Sequence, residues 1–87
     1  MIDEFLGAIG ANDIADIGEM VCQSVGNHLI VITNMQGLLL LTDTEIQVKA
    51  DKRQKAIVRG EFLEVSTLNK NDITISGRIL SVSFEGI

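Results

Sequence analysis

The first residues of the chain predict a short α-helix. Four apolar residues recur at the spacing of one helical face: Ile2, Phe5, Leu6 and Ile9. Two acidic residues between them would occupy the first turn, where the helix dipole favours negative charge. Residues 11–18 are interpreted as the start of a second helix, capped by Asn12 or Asp13. Residues 1–18 are therefore predicted to be a helical segment.

From Glu19 onward the apolar residues recur with a period of about two, and Val, Ile and Thr dominate between turn residues. This pattern is typical of a β domain, here residues 19–87. Its predicted strands are 20–25, 29–33, 38–41, 45–50, 55–59, 62–68, 73–76 and 78–84. About eight short, mostly antiparallel strands at this spacing predict a single small domain that is mainly β, either a rolled sheet or barrel-like.

Several positions carry more specific expectations. Gly26 and Asn27 favour a tight hairpin turn with positive φ at Gly26. The four consecutive leucines at 38–41 predict a strand buried on both faces. Gly60 suggests a bend or bulge, and Gly77 is expected to separate two strands. In the last strand, alternation places three side chains inward: Leu80, Val82 and Phe84.

The composition limits the classes of protein to which this chain can belong. Apolar residues make up 46% of the 87 residues and mean hydropathy is +0.31, which indicates a folded chain. The formal net charge of −5 arises entirely before His28, because the remaining chain balances its acids and bases. We therefore expect no nucleic-acid binding, which needs a basic excess. A lone cysteine and the acidic amino terminus favour the cytoplasm over export.

Few residues suggest catalysis or metal binding. Cys22 and His28 are the only cysteine and histidine, so a metal site would need carboxylates or a second subunit, and a nucleophile pair would lack an orienting group. Cys22 is more simply a core residue, and His28 a polar residue beside a turn. Asp13 and Asp16 could bind a cation, but acids at this spacing usually cap a helix. We expect no enzyme activity, metal, cofactor or small-molecule substrate.

Two features could mediate contacts. A local basic cluster could touch an acidic protein or the surface of an anionic membrane, although a solvated loop is the simpler interpretation: Lys52, Arg53, Lys55 and Arg59. The apolar face of the predicted helix, defined above, could cap the sheet or dock on a partner. Unpaired strand edges in such a protein also favour association with itself as a homo-oligomer.

The order of motifs over residues 25–85 resembles the YabP/YqfC sporulation-protein family. That family's pattern has a Gly-Asn pair, an apolar strand ending in Asn, a turn with Gly, a Thr-acid-x-x-Ile step, a later Gly step and a terminal I-x-G-x-I-x-S motif with an aromatic residue. The positions that carry it are Gly26, Asn27, Asn34, Gly37, Thr42, Asp43, Ile46, Gly60, Ile75, Gly77, Ile79, Ser81, Val82 and Phe84.

The resemblance implies a non-enzymatic structural protein of the mother cell in an endospore-forming bacterium, acting through protein–protein contacts in spore assembly. It brings no catalytic residues with it. The alternative, drawn from charge alone, is a protein-binding module unrelated to sporulation, whose acidic amino-terminal segment recruits a basic partner.

Overall fold

A computed structural model describes the backbone of residues 3–4 and 14–87 and the side chains from residue 18 onward. The described chain is mainly β, with no α-helix in it. Its eight strands are β1 (Asp3–Glu4), β2 (Ile14–Ile17), β3 (Met20–Val25), β4 (Leu29–Thr33), β5 (Gly37–Leu41), β6 (Glu45–Lys49), β7 (Gln54–Leu68) and β8 (Ile73–Gly86).

All strands join one antiparallel sheet in the order β2-β3-β4-β8-β7-β6-β5, with β1 paired to β8. The sheet is built around β7 and β8, which are 15 and 14 residues long and pair along most of their length. The first half of β8 pairs with β4, whereas its second half pairs with β1. The first half of β7 pairs with β6. The long pair therefore links two halves of the sheet, which share one core.

Two glycines let the backbones of the long strands approach closely. A Cβ atom on Gly60 would lie 2.0 Å from the carbonyl oxygen of Arg78, and one on Gly77, whose φ is +132°, would lie 2.5 Å from that of Phe62. The pairing register also shifts on either side of Gly60. The predicted bulge at Gly60 is confirmed, but the predicted break at Gly77 is wrong, because β8 continues through that residue.

The core consists of side chains from both halves of the sheet, including Met20, Cys22, Ile30, Ile32, Ile46, Val48, Val58, Ile73, Ile75, Ile79, Val82 and Phe84. The predicted alternation of β6 is confirmed, since Ile46, Val48 and the following Ala50 are buried. Leu80 was predicted to face inward, but it is exposed. Gly60 pairs with Ile79 and Arg59 with Ser81, so Leu80 is an extra residue that shifts the alternation.

The helical prediction for residues 1–18 finds no support. Asp3–Glu4 form a strand on β8, and Ile14–Ile17 form a strand on β3 instead of beginning a second helix. Pairing with an available sheet edge satisfies the backbone of Ile14–Ile17 better than an isolated short helix, which is marginal in water. The predicted docking residues Ile2, Phe5, Leu6 and Ile9, with Asn12 and Asp13, lie outside the described residues.

The turn predictions agree with the structure. Gly26 has φ of +61° in the β3–β4 hairpin. The Asn69 side chain accepts hydrogen bonds from the backbone N–H groups of Asn71 and Asp72 in the β7–β8 turn. Asp51 accepts two such bonds, from Arg53 and Gln54, before β7. Each of these side chains thus accepts hydrogen bonds from backbone N–H groups of a turn, which have no partner in a neighbouring strand.

Candidate interaction surface

Among the described residues, strand β5 is an unusual surface and forms an edge of the sheet. Among the described strands β5 pairs only with β6. Its sequence is Gly37 followed by four leucines, and Leu39, Leu40 and Leu41 are 47%, 38% and 52% exposed. The prediction that these leucines are buried on both faces is wrong. Because β5 ends the sheet, the core covers only Leu38, which packs partly against it.

A bulge in β5 distributes the leucines between the two faces of the sheet. Leu38 pairs with buried Val48 and Leu41 with buried Ile46, so both stand on the core face. Leu40 pairs with Gln47 on the outer face. Leu39 is the extra residue between the two registers. Both faces of the edge therefore carry apolar side chains.

The β5 edge is short and bulged, but it has none of the charged or proline residues that usually discourage strand edges from pairing. Natural edge strands carry lysines, other charges or proline, and these discourage association with a further strand. Residues 37–41 contain none of them, whereas the sequence of β2, at the other end of the sheet, contains Asp16. A five-residue uncharged leucine edge therefore favours contact with another polypeptide.

Charges flank β5 asymmetrically. Asp43 in the β5–β6 turn and Glu45 at the start of β6 lie at one end of the hairpin, whereas Lys49 lies beside Gly37 at the opposite end. The hydrogen bond from the Gln47 side chain lowers the pKa of Glu45, and the Arg59 guanidinium, whose Nε lies 3.2 Å from Glu45 Oε1, acts in the same direction. Lys49 forms no ion pair with any described residue. One end of the hairpin is thus acidic and the other basic.

The predicted basic cluster is divided between two places. Lys52 and Arg53 are exposed in the loop before β7, whereas Lys55 and Arg59 lie on β7 itself. Lys55 donates to the Gln47 side chain at 3.2 Å, and Arg59 pairs with Glu45. The two strand residues therefore belong to a polar network on the outer face, in which Arg59 remains exposed, whereas the side chains of the loop pair make no hydrogen bond or ion pair with any described residue.

The structure does not bring Cys22 and His28 together. Cys22 lies in the core with no exposed surface, while His28 is exposed at the β3–β4 turn. Over the described part of the chain, no three His, Cys, Asp or Glu side chains are grouped to hold a metal ion. Nor does that part contain a helix long and apolar enough to cross a bilayer.

A second surface feature is a cavity of about 390 Å³ where four connections meet at one end of the sheet. Glu19, Asn34, Asp51 and Asn71 are among its lining residues, and none of the lining residues is a Lys, Arg or His. The Asn34 amide donates to the Glu19 carbonyl and the Asn71 amide to the Met35 carbonyl, each at 3.3 Å. The sequence analysis identifies neither the β5 edge nor this cavity as a surface feature. The uncharged run of leucines is the one signal in the sequence that could have indicated the β5 edge.

Comparison of the chain with family models, curated proteins and solved structures gives no match in any of the three.

Proposed function

We propose that this protein is a non-enzymatic assembly protein that acts through protein–protein contacts made at β5. The observation that carries the proposal is the edge position of an uncharged strand with three exposed leucines. Exposed apolar patches on soluble proteins usually mark interaction sites, and unpaired strand edges are templates for further strands. Burying this edge against another chain removes leucine surface from water and satisfies free backbone groups together.

We place this assembly role in endospore formation, in the cytoplasm of the mother cell. The support is the ordered resemblance of residues 25–85 to the YabP/YqfC family. Three glycines of the motif have a structural role in this chain. Gly26 adopts positive φ, and Gly60 and Gly77 permit the close approach of β7 and β8. These glycines of the pattern therefore match positions where the sheet needs a residue without a side chain.

The test is genetic. In the source bacterium, the gene is deleted and heat-resistant spores are counted, after which the deletion is complemented with wild type, Leu40→Lys or Leu80→Lys. Leu80 is also an exposed leucine, on β8, and serves as the matched control. We expect the deletion and Leu40→Lys to lower the spore count and Leu80→Lys to restore it, with equal protein levels by immunoblot. A deletion that sporulates normally would overturn the sporulation role.

The cavity supports a second candidate, a binding module for basic partners. Its lining places the Glu19 and Asp51 carboxylates among amides without a neutralising base. An ammonium or guanidinium group of a partner would complement that lining. NMR titration with an arginine-rich peptide, compared between wild type and Glu19→Gln, tests this function: shifts confined to the Asn34 and Asn71 region and weakened by Glu19→Gln would favour it, and shifts elsewhere would not.

A further inference from the structure

We infer that the partner of β5 is a second copy of this chain, joined through an antiparallel pairing of β5 with β5 of the partner around a two-fold axis. This inference deepens the proposed contact function and rests on it. In such a pairing the sheet continues from one molecule into the other, and the same surface serves both copies.

Among the registers that keep opposed residues on one face, one also places every leucine opposite a leucine. Directly opposed residues in an antiparallel pair share a face of the sheet. Leu38 and Leu41 stand on the core face and Leu40 on the outer face, as their β6 partners establish. Aligning Leu38 with Leu41 of the other copy pairs the core-face leucines. The same alignment places Leu39 opposite Leu40 of the other copy. The bulge makes this match possible, because a regular strand would put Leu38 and Leu41 on opposite faces.

Charge favours the same arrangement. The register places Gly37 opposite Thr42 of the second copy, and these residues are flanked by Lys49 on one side and Glu45 on the other. Lys49 and Glu45 of the second copy then lie in one row across the sheet, separated by three strand spacings of about 4.8 Å each. Only Gly37 and Thr42 of the second copy lie between them. At about 14 Å, and with Glu45 already paired to Arg59 of its own molecule, the attraction is weak and acts only on the orientation of the two strands. A parallel pairing would instead align like charges.

The first test is the mass of the protein in solution, measured by analytical ultracentrifugation across a wide range of protein concentrations. We expect wild type and Leu80→Lys to show the same reversible monomer–dimer equilibrium. Leu40→Lys should raise the dimer dissociation constant at least about tenfold, because it places two lysines beside the two-fold axis. Circular dichroism checks that each variant retains its strand content.

The second test fixes the register by disulfide formation. A mixture of Leu39→Cys and Leu40→Cys proteins should form a mixed disulfide under mild oxidation, because opposed Cβ atoms lie about 4.5–5.5 Å apart. A mixture of Leu39→Cys with Thr42→Cys is the matched control. Its cysteines would be two residues out of register, beyond about 7 Å between Cα atoms, and should not bridge. Cys22 is fully buried and can remain in all variants.

The outcomes separate this inference from the proposed function. A wild-type protein that stays monomeric at every concentration overturns self-pairing. A dimer whose dissociation constant is unchanged by Leu40→Lys overturns the β5 register, as does a dimer that cross-links equally through residue 42. Open-ended polymers would also overturn it and would indicate that β5 pairs with β2 of the next copy. If the protein is monomeric, or if its dimer does not depend on Leu40, failure of Leu40→Lys to restore sporulation would still support a β5 contact with a different protein.

Discussion

Replacing Gly60 with alanine tests the close approach of β7 and β8, the pair of strands that links the two halves of the sheet. The new Cβ atom would lie 2.0 Å from the Arg78 carbonyl oxygen, whereas ordinary contacts begin at 3.4 Å, so the strands must separate by about 1.4 Å there. Two backbone hydrogen bonds hold this region, from Gly60 N to Thr44 O at 3.0 Å and from Ile79 N to Asn27 O at 2.8 Å. Overpacking costs about 1–3 kcal/mol, and loss of a buried hydrogen bond adds about 1 kcal/mol or more.

We therefore expect Gly60→Ala to lower the free energy of unfolding by at least about 3 kcal/mol, measured by urea denaturation with an unchanged m-value. Gly86→Ala is the matched control in the same pair of strands, because its Cβ would meet nothing closer than the Arg53 carbonyl at 3.7 Å. It should change stability by less than about 0.5 kcal/mol. Equal, small effects of the two substitutions would refute the close approach of β7 and β8 at Gly60.

Three further predictions concern individual side chains. The Ser83 hydroxyl is buried and makes no hydrogen bond to any residue whose side chain the structure describes, so Ser83→Ala should stabilise the protein by about 1 kcal/mol in urea denaturation; a loss of stability would show that the hydroxyl has a partner. The Cys22 thiol should react with a thiol reagent only after unfolding, because the residue has no exposed surface, and rapid labelling of the native protein would contradict its core position. The folded-state pKa of Glu45 is lowered, so its ionisation stabilises the fold above the ordinary glutamate pKa of 4.5 and this contribution is lost as the pH falls through the lower folded value. Wild type should therefore exceed Glu45→Gln in stability by less than about 1 kcal/mol at neutral pH, and the difference should shrink below pH 4.5; a difference that grows in acid would contradict the lowered pKa.

The sequence predicts much of the sheet because its signals are local. The Gly26 turn and the alternation of residues 45–50 depend on neighbouring residues, and both are confirmed. Residues 55–59 and 62–68 were predicted as separate strands, as were 73–76 and 78–84. They are instead two long strands, because a glycine or bulge that interrupts the alternation need not interrupt the hydrogen bonding.

The wrong predictions concern features that depend on distant parts of the chain. An apolar run such as residues 38–41 has the same local pattern in a central strand and at an edge, and only the order of strands decides which. Ile14–Ile17 likewise become a strand because β3 offers them a partner. The exposed leucine edge at β5 could therefore be located only once the sheet order was established.

Hydrogen exchange of the β5 amides, followed by NMR as protein concentration rises, tests most directly whether the leucine edge is the contact surface. The account predicts that exchange at residues 38–41 slows with concentration, while exchange at Ile73 and Ile75, in the interior of the sheet, remains slow and unchanged. Exchange at residues 38–41 that does not depend on concentration, together with slowing at β2 or on another surface, would contradict it.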